Sequence, residues 1–281
     1  MEAPFKKIGL AITFSPTSRV LLKEAYRLKK LFNAELVLIH VGEKNETSEK
    51  KIEEILIESS IDPAEILLIW GTGDPAKVII SKSKEYKLDL LVAGALEKED
   101  IITYYTGSVA RKLMRESPCS VLILVSSTPY ERNFNKIFVN VHYEPECESA
   151  VQKAYQFALA EKPKEFVLIT EIQVPGLSIT VYDSGSTDET EQSRKVWKKE
   201  EEEKLNIFIK ENNFSGLNIS AVCLYGKSGW EVKNYVKENN GDLLVIASPK
   251  KKLKFFDRLF QHDLEFIFEN LPCSILILKS C

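Results

Sequence analysis

The chain has 281 residues, nearly twice an ordinary domain, so two compact units are expected, each long enough to bury its own core. With 44% hydrophobic and 28% charged residues, 12 Gly and 11 Pro, the composition excludes disordered, collagen-like and disulfide-dependent miniprotein classes. Thirty-eight Lys and Arg against 41 Asp and Glu leave a formal charge of −3, which supplies no general positive field, so neither nucleic acid nor a membrane is an expected partner.

The start, Met1-Glu2-Ala3-Pro4-Phe5-Lys6-Lys7, leads into a short strand-like run, and no apolar stretch approaches the ~20 residues that span a bilayer, so a cytoplasmic location is expected. In the first half, apolar β-branched runs predict strands at 7–13, 35–41, 65–70, 89–94 and 120–125. Amphipathic stretches alternate with them. Ser15-Pro16 reads as a helix start, followed by an apolar face of Leu21, Leu22, Ala25, Leu28, Leu31 and Phe32, and Asp74-Pro75 opens a helix through Val78, Ile79 and Ile80.

The second half repeats the first. Ile8-Gly9-Leu10-Ala11-Ile12, Ala25-Tyr26 and Glu35-Leu36-Val37-Leu38-Ile39 return as Ile137-Phe138-Val139-Asn140-Val141, Ala154-Tyr155 and Glu165-Phe166-Val167-Leu168-Ile169. Asp89-Leu90-Leu91-Val92 returns as Asp242-Leu243-Leu244-Val245, and the run from Ser117 to Leu124 returns from Leu271 to Leu278. The offset grows between these pairs, so an inserted polar loop is expected between Gln173 and Trp197, around Asp183-Ser184-Gly185-Ser186-Thr187-Asp188-Glu189. The expected organisation is a first domain at 1–126, a linker at 127–135 and a second domain at 136–281. The fold class is α/β, two tandem copies of an open, parallel five-stranded sheet with helices on both faces.

Five cysteines without a CxxC pair, and only three histidines, offer no zinc spacing and read as free thiols, Cys119 and Cys273 as small core residues. His40, His142 and His262 lack partners at fixed spacing and read as packed or surface residues. Gly71-Thr72-Gly73-Asp74-Pro75-Ala76 has the form G-x-G-x-x-A, but Pro75 lacks an N–H and Asp74 sets a carboxylate where a pyrophosphate would lie, so it reads as a turn and helix cap. The run Lys198-Lys199-Glu200-Glu201-Glu202-Glu203-Lys204 reads as the exposed side of a helix that buries Leu205, Ile207 and Phe208.

After the fourth strand, Gly94-Ala95-Leu96-Glu97 and nine further residues lead to Gly107-Ser108 at a helix start. This order and spacing, with the closing Pro118-Cys119-Ser120-Val121-Leu122-Ile123-Leu124 strand, resembles the universal stress protein family, once per half, and so a tandem member of it. The resemblance implies an adenine nucleotide alpha hydrolase-like fold whose last strands pair across a dimer interface, so 120–125 and 274–279 are expected to pair within one chain as an intramolecular pseudo-dimer, and two chains to assemble as a homodimer. It also implies a stress-response role and a site for ATP, with magnesium, in the first half. The adenine would lie near Ala11, Thr13 and Val41, and the phosphates near Gly94 and the amides of Gly107, Ser108 and Val109. Two positions depart from the family pattern: Thr13 stands where nucleotide binders carry an Asp, and Glu97 where they carry the middle glycine. In the second half, Ala247, Lys250 and Gln261-His262 replace the glycines and the Gly-Ser pair, and His142 the Asp, so the usual ATP mode is not expected there. Three alternatives remain: a structural pseudo-dimer with both sites degenerate, a weak ATPase using Glu97, and a second-half pocket for an apolar or anionic ligand, with Phe255, Phe256 and Phe260 as walls and lysines from Lys250 to Lys254 at its mouth.

Overall fold

The computed structural model describes residues 3–97, 104–105, 107–125, 133–142, 145–172, 187–248, 267–268 and 270–279. The first half runs β1 (Lys7–Ile12), α1 (Ser18–Phe32), β2 (Glu35–Val41), α2 (Glu46–Glu58), β3 (Ile66–Gly71), α3 (Pro75–Glu85), β4 (Leu90–Gly94), β5 (Leu96–Glu97), β6 (Tyr104–Tyr105), α4 (Ser108–Glu116) and β7 (Ser120–Leu124). The second half runs β8 (Lys136–Asn140), α5 (Pro145–Glu161), β9 (Glu165–Ile172), α6 (Thr187–Glu211), β10 (Ile219–Tyr225), α7 (Trp230–Glu238), β11 (Leu243–Ser248) and β12 (Ser274–Lys279). No described helix is long and apolar enough to cross a membrane.

The five long strands of each half fall where continuous apolar runs place them, because a parallel strand covered on both faces needs apolar side chains at every position. Strand order in the main sheet is β10-β9-β8-β11-β12-β7-β4-β1-β2-β3. Within the main sheet, the described pairings inside each half are all parallel, and the antiparallel contact of β12 with β7 joins the halves; β5 and β6 form a separate two-stranded antiparallel ladder. One face is covered by α1, α2, α5 and α6, whose buried residues include Leu22, Leu28, Ile52, Phe157 and Leu205. The other face carries α3, α4 and α7 through Ile79, Leu113 and Val232.

The seam has local twofold symmetry. Leu276 pairs with Leu122 at its centre, flanked by Ile275 with Ile123 and Ile277 with Val121. These are repeat-equivalent residues exchanging places, as an isologous contact requires. The amide of Val125 donates to Ser274 Oγ at 3.2 Å, and that of Lys279 to Ser120 Oγ at 3.3 Å, so each half supplies the same hydroxyl to the other. Lys279 Nζ also donates to the carbonyl of Ser117. Both β7 and β12 are interior, so an assembly of two chains would have to use another surface.

The repeated Asp acts at the amino-terminal ends of interior strands. Asp89 accepts from the amides of Lys6 and Lys7 at 2.7 and 3.1 Å, and Asp242 from those of Asn135 and Lys136 at 2.8 and 2.9 Å. Each carboxylate anchors the first strand of its half to the fourth.

A second contact between the halves lies on the α1/α5 face. The rings of Phe5 and Phe32 in the first half meet Phe157 of α5 at centroid distances of 6.4 and 5.5 Å, with Phe134 6.0 Å from Phe157. Beside them the Arg27 guanidinium binds Glu161 through both carboxylate oxygens, at 2.7 and 3.1 Å, and Glu24 at 2.7 and 2.9 Å. Burial disfavours the Arg27 charge, but hydrogen bonds to Glu24 and Glu161 outweigh it and hold the guanidinium protonated. Burial pushes the Glu161 carboxyl up, and Arg27 opposes the shift.

Three expectations are corrected. Helix α1 starts at Ser18, not at Ser15-Pro16. Its cap is Thr17, with no side-chain cap bond, because Ser15 is drawn into a hydroxyl cluster with Thr13, Thr17 and Ser18. Residues 187–197, expected in the inserted loop, are the first turns of α6, continuous with the Lys- and Glu-rich run at 198–204 that suits a helix. On α6, Leu205 is buried but Ile207 is 53% exposed, turned away from the sheet. Residues 173–186 of the expected loop, 127–132 of the expected linker and residue 126 at the end of the expected first domain lie outside the described residues.

Removing Arg27 leaves the fully buried Glu161 carboxylate without its cation, so Arg27→Ala is expected to cost about 3–5 kcal/mol in urea unfolding. The double substitution Arg27→Met with Glu161→Leu is expected to recover most of it. A small loss in Arg27→Ala would show that the pair does not hold the halves together.

Acid stability is governed in part by Glu65, which accepts from Lys29, Lys30 and Tyr26. Lys29 first, then Lys30 and Tyr26, hold its carboxyl down from 4.5 to about 2. A depressed native value gives stability that is complete above 4.5 and lost as pH falls toward about 2. The gap in Tm between the wild type and Glu65→Gln is therefore expected to narrow below that upper value; a gap independent of pH would contradict this.

Candidate functional site

In the first half, the chain leaves β1 toward β2 and β3, crosses back, and leaves β4 toward β7. The order reverses between β1 and β4, and beyond the carboxyl ends of such a pair an open α/β sheet has a crevice. Register places Leu10 beside Val92, and Ala11 and Ile12 beside Ile39 and His40. The ends of β1, β2 and β4 thus bring together Ala11, Thr13, Val41 and Gly94, with Thr13 exposed and the other three half-buried.

The four helix starts of this half differ in what occupies them. Asn45 caps α2, accepting from the amide of Ser48 at 2.9 Å while the Ser48 hydroxyl accepts from the Asn45 amide. Asp74 caps α3, accepting from the amide of Lys77 at 2.8 Å. That amide, helped by Lys112, holds the Asp74 carboxyl below its usual range. The G-x-G-x-x-A segment is therefore a turn and a cap, its amide already taken by its own carboxylate. By contrast α1 and α4 receive no side-chain cap bond, and neither has an acidic residue in its first turn. These two follow β1 and β4, the strands at the reversal. They lie on opposite faces of the sheet and flank the crevice.

Gly107 is the cap residue of α4, extended at φ −63° and ψ 167°, and without a side chain it cannot fill the helix start. Ser108 is exposed and Val109 half-buried, while Ala110, Leu113 and Met114 anchor the helix on the sheet. First-turn amides of this kind, at the positive end of the helix dipole, suit an anion. Gly94 has a packing reason of its own: a Cβ there would lie 2.7 Å from Leu21 Cδ1, so the glycine lets α1 close over the end of β4. Glu97 lies in β5, paired antiparallel with Tyr104 of β6, so the segment after β4 includes a two-stranded ladder.

Around Thr13 the structure adds a feature that motif spacing missed. Thr13 Oγ1 lies 3.0 Å from Ser15 Oγ and 3.2 Å from Ser18 Oγ, and Ser15 Oγ lies 3.0 Å from Thr17 Oγ1. Four neutral hydroxyls stand at the start of α1 where a carboxylate would repel an anion. The run Thr13-Phe14-Ser15-Pro16-Thr17-Ser18 was the available signal. Nearby, His40 is buried between the Phe14 and Trp70 rings, at 4.4 and 4.9 Å, and its Nδ1 meets the carbonyl of Ile12 at 3.1 Å, a packed histidine.

The second half is arranged differently. His142 follows the end of β8, and Ala247 lies on β11. Glu171, near the end of β9, accepts from the amides of Gly229 and Val232 at 2.9 and 3.0 Å and from Ser228 Oγ, so the start of α7 is filled. Lys250 to Phe256, Leu259-Phe260 and Gln261-His262 lie outside the described residues. Among the described residues, Cys119, Cys147, Cys223 and Cys273 are buried and form no disulfide. Burial pushes the thiols of Cys119, Cys223 and Cys273 up, Cys223 to about 11, which suits core packing and not nucleophilic chemistry. Among the described residues, no group of three or more His, Cys, Asp or Glu is placed to hold a metal.

Residues 4–124 match the sequence profile of the Universal stress protein family. Universal stress protein YxiE of Bacillus subtilis is 29% identical over 146 residues, covering 43% of this chain and 99% of that protein. In three dimensions the chain resembles a functionally unknown protein from Pseudomonas aeruginosa PAO1, with a TM-score of 0.71 at 16% identity over 98% of this chain and 93% of the other. A universal stress protein from Archaeoglobus fulgidus superposes with a TM-score of 0.62 at 16% identity, covering 100% of both chains. At such identities the two structures show a shared fold, including the presence of both halves.

Asp74 caps α3 and otherwise meets only Lys112 of α4, at 3.7 Å and well away from the first turn of that helix, so Asp74→Ala is expected to lower stability by about 1 kcal/mol in chemical denaturation and to leave any anion affinity of the protein unchanged. A large change in affinity would return the Gly71–Ala76 turn to consideration as a binding loop.

Proposed function

We propose that this chain, whose residues 4–124 belong to the universal stress protein family, is a stress-response binding module that takes an adenine nucleotide at the β1/β4 reversal of its first half. The observation that carries this reading is the pair of helix starts without side-chain caps, α1 and α4, flanking that reversal while α2 and α3 are filled by their own side chains. Phosphates would meet the amides around Gly107, Ser108 and Val109, with Gly94 and Glu97 on the segment leading to them. The base would lie between the ends of β1 and β2, near Ala11 and Val41. At the ribose, Thr13 with its partners Ser15 and Ser18 offers hydroxyls in place of a carboxylate. Magnesium would be carried by the phosphates, since no described acidic cluster would hold it. The first domain is assigned to 1–126, the linker to 127–135 and the second domain to 136–281. The role assigned is binding, and no residue is assigned a catalytic step.

Calorimetric titration of ATP into the full chain, with and without magnesium, tests the reading. Ser108→Pro removes one amide donor at a position where proline is compatible with the first helical turn and with the extended Gly107 before it. It is expected to weaken ATP about tenfold, the value of one charge-assisted hydrogen bond, without lowering Tm. Thr13→Asp supplies a carboxylate for the ribose and is expected to tighten binding. Absence of ATP binding in the wild type, or binding indifferent to Ser108→Pro, would contradict the assigned site.

A further inference from the structure

The carboxyl ends of β8 and β11 form the second half's own reversal point, and the residues there differ in kind from those at β1 and β4. Register sets Asn140 between Ile169 of β9 and Ile246 of β11, both almost fully buried. Asn140 is itself 5% exposed, and its Oδ1 has no hydrogen-bond partner among the described residues. Leaving a buried amide oxygen unpaired is costly, and native interiors rarely contain one without a reason. In the repeat, Asn140 takes the position of Ala11, so the polar group belongs to the second half alone.

Charge separates the two points as well. Glu171 takes the position of Val41 and places a carboxylate at the end of β9, bound to the start of α7. Glu148, in the first turn of α5, is an exposed acid where α1 opens with hydroxyls. A polyphosphate would meet negative charge on both sides. The ligand that fits is therefore small and without phosphate, and it carries a hydrogen-bond donor for Asn140 Oδ1.

We propose that the β8/β11 reversal is a second, separate site for a small ligand of carboxamide type, whose N–H2 donates to Asn140 Oδ1 while its carbonyl accepts from Asn140 Nδ2. Two amides paired edge to edge satisfy each other's donor and acceptor, and Ile169 and Ile246 flank the pair with apolar surface. An aminopurine presents a similar donor and acceptor on its N6/N7 edge, so the experiment must separate the two chemistries.

Nicotinamide, adenosine and ATP are each titrated by calorimetry into the full chain carrying Ser108→Pro, which weakens the first-half site and keeps the two sites distinguishable. Nicotinamide is expected to bind, and Asn140→Leu and Asn140→Ala are each expected to weaken it about tenfold or more while leaving the adenosine and ATP binding that remains at the first-half site unchanged. The alanine variant reproduces the residue that the first half carries at Ala11 and serves where the leucine variant does not fold. Absence of nicotinamide binding, nicotinamide binding unchanged by both substitutions, or a loss of adenosine binding on Asn140→Ala larger than the loss of nicotinamide binding would overturn the proposal.

Discussion

The antiparallel contact between β7 and β12 is the interaction on which the rest of the molecule depends. Each half alone is an open parallel sheet that ends in a largely apolar strand, and an uncovered edge of that kind is a template for aggregation. Pairing the two edges around Leu122 and Leu276, with Ser120 and Ser274 exchanging equivalent hydrogen bonds, turns two sheets of five into one of ten. The aromatic cluster and the Arg27 pair then close the face beneath, where α1 meets α5. With that frame set, the two reversal points lie in separate halves and can diverge without disturbing each other.

Divergence is visible in what occupies the helix starts. In the first half, Asn45 and Asp74 satisfy the helices remote from the reversal, and the two helices beside it are without side-chain caps. In the second half, Glu171 fills the start of α7, and an unpaired Asn140 oxygen appears where the first half has Ala11. The same topology thus presents amides suited to an anion on one side and a buried neutral amide on the other. Duplication conserved the frame, while the polar residues at the strand ends determine what each half can bind.

Much of the frame was legible in the residues. Strands covered on both faces read as unbroken apolar runs, repetition of those runs discloses the two halves, and the resemblance to the universal stress protein family implies the pairing of their last strands. Asp74-Pro75 announced its cap because the fixed φ of proline and the carboxylate act within a single turn. The start of α1 was misjudged because Ser15, Thr17 and Ser18 can all cap a helix, and only the hydroxyl geometry decides among them. The polar composition of residues 187–197 reads as a loop but is shared by a solvated helix. The role of the repeated Asp89 and Asp242 is not legible in the sequence, since their partners are backbone amides far along the chain, which leave no trace in residue type. Nor is that of Asn140, because sequence order does not tell whether a polar residue at a strand end faces solvent or is enclosed between Ile169 and Ile246.

Amide hydrogen exchange on the intact chain tests the continuous sheet most directly, because protection follows the order in which hydrogen bonds open. The account predicts that amides of β7 and β12 exchange among the slowest in the molecule and with matching rates, while those of the outer strands β3 and β10 exchange sooner. Amides of β7 and β12 exchanging as fast as those of β3 and β10, or at rates unrelated to each other, would contradict it.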